Sequence, residues 1–203
     1  VATYAGVHDE LRKYFARSEA AKQYGAKLAA EAGSKPGRHR GLTAGAFSYN
    51  TGSLRCDTCD GTGQISLDVQ FLPDVEICCP DCRGSRYRRA AHEIRCFFDD
   101  GVAYSLPDLM AMSVDEALTV CAGLSRVSKK LQVLHDLGLG YLTLGEQTPG
   151  LSGGEAQRLK LASEMGRGQG DSVFVFDEPT IGLHPKDVQT LKGVFASLIT
   201  KGA

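Results

Sequence analysis

The sequence predicts an α/β fold that carries an inserted metal-binding module, and three features of the chain lead to this prediction. Amphipathic helical segments recur along it, a short apolar run near its end is typical of a buried strand in a parallel sheet, and two cysteine pairs interrupt this pattern. Hydrophobic residues make up 42% of the 203 residues. The chain can therefore bury a core and is long enough for one large domain or two small ones.

Composition restricts the classes of protein that fit. The 23 Lys and Arg residues nearly balance the 24 Asp and Glu residues, so any DNA contact must come from a local basic patch. No stretch of about 18 apolar residues exists, which excludes a predicted membrane span. Seven cysteines without a secretion signal indicate a reducing compartment, and we expect a cytoplasmic protein. The first residue is Val1 rather than Met, and we expect the chain to be part of a longer one.

Helices are predicted where apolar residues recur at helical spacing. These segments are residues 7–31 (two helices), the segment that Ser113 and Glu116 would cap, residues 125–137, and the segment after Pro185. Residues 33–45 are rich in glycine and basic residues, which predicts a loop. In residues 65–71 apolar and polar side chains alternate, which is typical of a half-buried strand.

Two cysteine pairs predict a metal site. Cys56-Asp-Thr-Cys59 and Cys79-Pro-Asp-Cys82 are separated by 19 residues, and two such knuckles supply four thiolates for a tetrahedral Zn²⁺. A closed four-sulfur site is structural, and its binding energy is folding energy. The alternative is four unpaired buried thiols. Cys78 could compete as a ligand, but only Cys79 has the C-x-x-C spacing with Cys82.

Basic residues follow the second knuckle. They are Arg83, Arg86, Arg88 and Arg89. Four arginines can form a solvated face, but beside a zinc knuckle on a chain of nearly neutral charge they can also contact the DNA backbone. Both interpretations remain open from the sequence.

The segment from Leu151 to Arg158, Leu-Ser-Gly-Gly-Glu-Ala-Gln-Arg, is the most specific signal. Ser152 and Glu155 have the spacing of a capping box at the start of a helix. The first N–H groups of a helix attract anions, and Gly153 and Gly154 let a phosphate approach closely. An ordinary capped helix is the alternative for Ser-x-x-Glu alone. The full string is the signature motif of ABC ATPases, which predicts a partial ABC-type ATPase domain with an inserted zinc-binding module and a helical signature subdomain.

An acidic pair follows the apolar run 172–176, which is predicted to be a buried strand of a parallel sheet. Asp177 would hold Mg²⁺ through water, as the Walker-B Asp of nucleotide-binding folds does. Glu178 would deprotonate the attacking water, although an isolated Asp-Glu is usually a solvated turn. The sequence contains no G-x-x-x-x-G-K-[ST] phosphate loop, so we expect this segment alone to be inactive.

Together these motifs resemble the UvrA family, in the same order. The matching runs are Phe47-Ser-Tyr-Asn50, Phe71-Leu-Pro-Asp-Val75, Gly138-Leu-Gly-Tyr141, both knuckles, the signature and Asp177-Glu-Pro. The resemblance places the chain in the C-terminal ATPase half. It divides the chain into N-terminal helices and a basic loop after the Q-loop (1–46), the zinc module (47–95), the helical signature subdomain (96–150), and the signature helix, Walker-B strand, D-loop and following helix (151–203).

The resemblance implies the damage-recognition ATPase of nucleotide excision repair, acting as a homodimer that binds distorted double-stranded DNA and loads UvrB. It implies Zn²⁺, ATP and Mg²⁺ as cofactors, and the four knuckle cysteines as metal ligands. Glu178 would be the catalytic base. The residues that would meet ATP or its Mg²⁺ are Ser152, Gly153, Gly154, Glu155, Gln157 and Asp177.

Three alternatives are compatible with parts of the sequence. A UvrA-like paralogue in drug self-resistance would share every motif, and residues 22–45 and Ile181 depart from the usual family pattern. Cys56 to Gly63 also resembles the zinc repeat of DnaJ-type co-chaperones, which carry four such repeats and no signature motif. A scaffold without ATPase activity is a third interpretation, against which the intact signature and Asp177-Glu178 argue.

Overall fold

A computed structural model of the chain describes residues 1–31, 41–67, 75–165, 173–180 and 185–200. The chain forms two compact units, one of Asp9–Ala111 and one of Val1–His8 together with Met112–Ala203. The four segment boundaries predicted from the sequence stay predictions. No described helix has both the length and the apolar character that crossing a membrane requires.

Helices and short antiparallel strands make up the described residues. The helices are α1 (Val7–Arg17), α2 (Glu19–Glu31), α3 (Arg89–Glu93), α4 (Leu106–Ala111), α5 (Val114–Val120), α6 (Ser125–Asp136), α7 (Gly153–Glu164) and α8 (Pro185–Thr200). The strands are β1 (Gln64–Leu67), β2 (Val75–Cys78), β3 (Arg95–Phe97) and β4 (Ala103–Ser105). Strands β1 and β2 pair with each other, as do β3 and β4.

The Asp9–Ala111 unit is built on an aromatic core. The apolar stripe predicted on α1 is confirmed, because Leu11 and Phe15 are fully buried. The ring centroid of Phe15 lies 6.0 Å from that of Phe47. Tyr87 is also buried, and its hydroxyl donates a hydrogen bond to the carbonyl of Phe47 at 2.9 Å. This bond ties the zinc-module segment to the aromatic core.

The other unit contains the predicted helix at residues 125–137, which is confirmed as α6 with Val127, Leu131 and Leu134 buried. The capping box at Ser113 is also confirmed. Ser113 Oγ accepts a hydrogen bond from Glu116 N at 3.2 Å, and Glu116 Oε2 accepts one from Ser113 N at 2.8 Å. Cys96 and Cys121, which stand apart from the two cysteine pairs in the sequence, are buried.

The prediction of a buried strand at residues 172–176 is wrong for the described part of it. Residues 173–176 belong to no strand, and Val173 and Val175 are each 90% exposed. Phe174 and Phe176 stack at 6.2 Å, and Phe176 lies 4.9 Å from Phe195 of α8. A parallel strand requires neighbouring parallel strands, and the described residues contain only antiparallel pairs. The apolar run therefore has no sheet to join among them.

The alternating segment at residues 65–71 is confirmed as a strand over the part that is described, which ends at Leu67. It is more exposed than predicted, since Leu67 is 43% and Ile77 of β2 is 38% exposed. The ribbon has only two strands, and its described apolar contact with the cysteine cluster is through Ile65. The loop predicted at 33–45 lies mostly outside the described residues, and residues 182–184, where the D-loop is predicted, lie entirely outside them.

Candidate metal centre and nucleotide-site residues

The four predicted metal ligands converge on one point. The Sγ atoms of Cys56, Cys59, Cys79 and Cys82 all lie within 4.8 Å of one another, and all four residues are buried. Cys56 Sγ lies 3.9 Å from Cys79 Sγ, and Cys59 Sγ lies 3.6 Å from Cys82 Sγ. Tetrahedral Zn–S bonds of about 2.3 Å give S···S edges of about 3.8 Å, whereas a disulfide needs about 2.05 Å. The donor set therefore fits a structural Zn²⁺.

The backbone repeats the same hydrogen bonds around both knuckles. The N–H of Cys79 donates to the carbonyl of Gly63 at 3.0 Å, and the N–H of Cys56 donates to the carbonyl of Arg86 at 2.9 Å. Gly63 and Arg86 each stand four residues after the second cysteine of the other knuckle. The two knuckles thus hold each other through a reciprocal pair of backbone hydrogen bonds.

Left-handed backbone closes each knuckle. The turns take positive φ at Asp60, Gly61 and Gly63 in the first knuckle, and at Arg83, Gly84 and Arg86 in the second. Gly61 is required for a further reason, because a Cβ there would lie 1.7 Å from the carbonyl oxygen of Tyr49. The second knuckle places Arg86, with φ of 69°, where the first has Gly63. It therefore bears a conformational cost that a glycine would avoid.

The pKa shifts of the cluster thiols differ, because hydrogen bonds favour the thiolate at Cys59 whereas burial disfavours it at Cys82. Burial raises the pKa of Cys59, but the N–H of Gly63, 3.3 Å from its sulfur, and the neighbouring thiols lower it to a net value of about 7. Burial raises the pKa of Cys82 to about 12. N–H donors directed at a buried sulfur favour its thiolate, which is the form that binds metal.

Cys78, which could compete as a ligand, lies outside this group. It is exposed, and its Sγ is directed toward the carbonyl of Cys79 at 3.9 Å. Because β2 is extended there, successive side chains point to opposite sides. Cys79 therefore faces the other three thiols and Cys78 does not.

The four arginines after Cys82 fall into two pairs. Arg86 is half-buried, with its guanidinium carbon 4.9 Å from the ring centroid of Tyr49. Arg88 donates from Nε to the carbonyl of Arg55 at 3.0 Å and forms an ion pair with Asp57. The other two, Arg83 and Arg89, are exposed and form no ion pair with another described residue. Two of the four therefore brace the zinc module, while two present their charge to solvent.

The signature segment forms the predicted capped helix, α7. Ser152 Oγ accepts from the N–H of Glu155 at 3.4 Å, and Glu155 Oε2 accepts from the N–H of Ser152 at 2.6 Å. The side chain of Gln157 is partly buried, and its Oε1 has no hydrogen-bond partner among the described residues. Gly153 is exposed, and nothing lies within 4 Å of where its Cβ would be. The capping box thus holds the first turn of α7 in place, and Gly153 leaves that turn accessible to solvent.

The acidic pair lies close to the signature helix. Asp177 and Glu178 are exposed, and Glu178 has a left-handed φ of 44°, which is uncommon for a residue other than glycine and often marks a functional site. Arg158 of α7 is 3% exposed, and its Nη1 donates to the carbonyl of Pro179 at 3.4 Å. The segment that carries the acidic pair is therefore joined to α7 at Arg158, although the predicted strand before it is not formed.

One residue of this region was not singled out for the site by the sequence. The hydroxyl of Tyr141 donates a hydrogen bond to Glu155 Oε1. This bond is the largest influence on Glu155 and lowers the pKa of its carboxyl. In the sequence, the only indication of Tyr141 is that the Gly138-Leu-Gly-Tyr141 run matches the family pattern. Tyr141 and Glu155 belong to different elements, so no helical spacing predicts their contact.

Sequence and structure comparisons with known proteins identify the same kind of relative, UvrA proteins. No family model matches the chain. It is 39% identical over 202 residues to the UvrABC system protein A of Thermus thermophilus and 40% identical to that of Bacillus subtilis, covering 99% of the chain and 19% of each relative. The crystal structure of UvrA2 from Deinococcus radiodurans matches with a TM-score of 0.76 and 40% identity over 99% of this chain and 22% of that one. The chain thus spans about a fifth of the length of these relatives. Because all of them are UvrA proteins, the comparisons do not favour the chaperone alternative.

Proposed function

We propose that this chain is one segment of a UvrA-family protein and that it serves in the damage-recognition ATPase of nucleotide excision repair. In the full-length protein it would supply one signature motif, one Asp-Glu pair and one structural zinc module. The proposal rests on the capped, exposed first turn of α7 in a chain about 40% identical to UvrA proteins, with the segment of Asp177 and Glu178 bonded to Arg158 of the same helix. ATP-dependent binding of distorted duplex DNA, homodimer formation and loading of UvrB are the activities that we propose for the whole protein.

The residues of this chain would contribute to two ATP sites, one of them held by the opposite ATPase domain. The N–H groups of the first turn of α7 have no partners within the helix and would donate to a phosphate of ATP that the opposite ATPase domain holds. Asp177 would bind Mg²⁺ through water, and the cation would neutralise charge on the phosphates. Glu178 would take a proton from the attacking water while the water oxygen bonds to the γ-phosphorus. The bond between the γ-phosphorus and the β,γ-bridging oxygen would break, and ADP would leave.

The four knuckle thiolates would hold Zn²⁺, which supplies structure rather than chemistry because no open coordination position remains. The exposed arginines of the module, Arg83 and Arg89, are its available partners for DNA phosphates. We therefore propose that the zinc module is a DNA-contacting support whose shape depends on the metal.

The test of the ATPase proposal is Glu178→Gln in the full-length protein. ATP binding should be retained, while steady-state hydrolysis should fall by about 100-fold or more, because a general base contributes about 10²- to 10⁴-fold to the rate. Glu93→Gln is a matched control, because Glu93 is an exposed carboxylate in the other unit. Hydrolysis that is unchanged in Glu178→Gln would remove Glu178 as the base.

A further inference from the structure

Tyr141 occupies an unusual position for an aromatic residue. It is 62% exposed, so it contributes little to the core. Its neighbours Leu139 and Leu142 are buried, and the N–H of Asp115 donates to the carbonyl of Gly140 at 3.0 Å while the N–H of Val114 donates to that of Leu142 at 2.9 Å. A tightly anchored backbone therefore holds a side chain whose location packing does not explain.

The polar contact of Tyr141 explains its position. Its hydroxyl donates to one carboxylate oxygen of Glu155, while the other oxygen accepts the N–H of Ser152 at 2.6 Å. Glu155 thus links the phenol to the backbone at the start of α7. Because both carboxylate oxygens are engaged, the Glu155 side chain is held in the rotamer that closes the capping box.

A comparison with the other capping box isolates this feature. At Ser113, one oxygen of Glu116, Oε2, accepts from both the backbone and the hydroxyl of Ser113, and no tyrosine among the described residues donates to Glu116. In the signature box the hydroxyl of Tyr141 takes the second oxygen of Glu155. The additional brace is thus found at the helix whose first turn would meet nucleotide.

We propose that Tyr141 is a positioning residue for the nucleotide site, which holds Glu155 so that the first turn of the signature helix is preorganised for phosphate. This inference rests on the proposed function and adds a residue to it. Tyr141 touches neither nucleotide nor water in the reaction, and acts through Glu155 and the backbone of Ser152.

The effect of removing the hydroxyl follows from this geometry. In Tyr141→Phe the ring remains and one carboxylate oxygen of Glu155 loses its donor. The first turn then has more freedom before ATP binds, and ordering it costs part of the binding energy. The KM for ATP should rise about three- to tenfold, as expected for one hydrogen bond to a charged group at a partly exposed site.

The experiment compares wild type, Tyr141→Phe and Tyr104→Phe in the full-length protein. Tyr104 is a matched control, because its hydroxyl also donates to a carboxylate, Asp100 Oδ2, at 2.8 Å, in the other unit. The KM for ATP should rise in Tyr141→Phe and stay unchanged in Tyr104→Phe. A KM that is equal in all three proteins would overturn the inference while leaving the ATPase proposal intact.

Two further readouts separate positioning from a general structural effect. The hydrogen bond lowers the pKa of Glu155, so its removal should move the acid limb of the pH–activity profile to higher pH, and Tyr104→Phe should not. In a double-mutant cycle Tyr141→Phe should add little to Glu155→Gln. Fully additive effects would show that Tyr141 does not act through Glu155, and a wild-type protein without ATPase activity would instead reject the proposed function itself.

Discussion

The zinc module and the nucleotide-site segment differ in how completely this chain supplies them. The four thiols are buried, their spacing suits a tetrahedral metal, and reciprocal backbone bonds join the two knuckles. In the nucleotide-site segment the first turn of α7, Asp177 and Glu178 are exposed, and Val173 and Val175 are 90% exposed. The described residues complete the metal site of the zinc module, whereas the nucleotide-site segment leaves apolar side chains exposed.

This difference has a physical origin. Metal coordination needs four donors within a few ångströms, and 27 residues from Cys56 to Cys82 are enough to provide them. A parallel strand becomes buried only between other strands and under helices on both faces. The zinc module should therefore depend on its own residues, and the nucleotide-site segment on contacts beyond those that the described residues make.

The largest expected effect is loss of the metal. Structural zinc sites contribute about 10 kcal/mol or more to folding, so Cys56→Ser should release the zinc and unfold the module. The purified protein should contain about one zinc per chain by elemental analysis, and Cys56→Ser close to none. Cys78→Ser is the matched control and should retain zinc because Cys78 is exposed and outside the cluster. Metal-free, freshly reduced wild-type protein would contradict the site.

The next effect concerns the turn that closes the first knuckle. Gly61→Ala would place a Cβ 1.7 Å from the carbonyl oxygen of Tyr49, and the free energy of unfolding should fall by about 2 to 4 kcal/mol. Gly101→Ala has nearly the same φ, 76° against 78°, but nothing lies within 4 Å of its Cβ. It should cost only about 1 kcal/mol of conformational strain. Denaturant unfolding of both variants measures the difference, and equal losses would show that strain alone sets the cost at Gly61.

The sequence was most informative where structure is local. The cysteine spacing predicted the cluster, and the Ser-x-x-Glu spacing predicted both capping boxes, because these contacts join residues a few positions apart or follow a known ligand pattern. Helices α1 and α6 were predicted for the same reason, since each shows an apolar stripe at helical spacing, and α2 was predicted from its alanine-rich sequence.

The sequence was least informative where structure depends on distant residues. Strands β3 and β4 have three residues each, which is too short for an alternating pattern to stand out. The run 172–176 has a strand-like composition, but composition does not reveal which strands lie beside it. Tyr141 and Glu155 are 14 residues apart and meet only through the fold.

A smaller effect distinguishes the two capping boxes. Ser113→Ala and Ser152→Ala should each lower the free energy of unfolding by about 1 kcal/mol, since each loses a side-chain acceptor for a helix N–H group. Only Ser152→Ala should also raise the KM for ATP in the full-length protein, because only α7 would meet nucleotide. Thermal unfolding and steady-state ATPase assays give both quantities. A KM raised equally in both variants would show that helix stability, rather than phosphate binding, controls the activity.

The smallest expected effect on stability separates the two pairs of arginines on the zinc module. Arg83→Gln with Arg89→Gln should leave stability nearly unchanged, because neither side chain forms an ion pair with another described residue. The same double variant should reduce the slope of log K for DNA binding against log salt concentration by about 0.9 for each DNA phosphate that the protein no longer neutralises. Arg86→Gln should instead lower stability by about 0.5 to 1 kcal/mol, because its guanidinium no longer stacks on the ring of Tyr49. A slope that no variant alters would favour the solvated-face interpretation, and a slope that Arg86→Gln also flattens would show that this bracing arginine binds DNA as well.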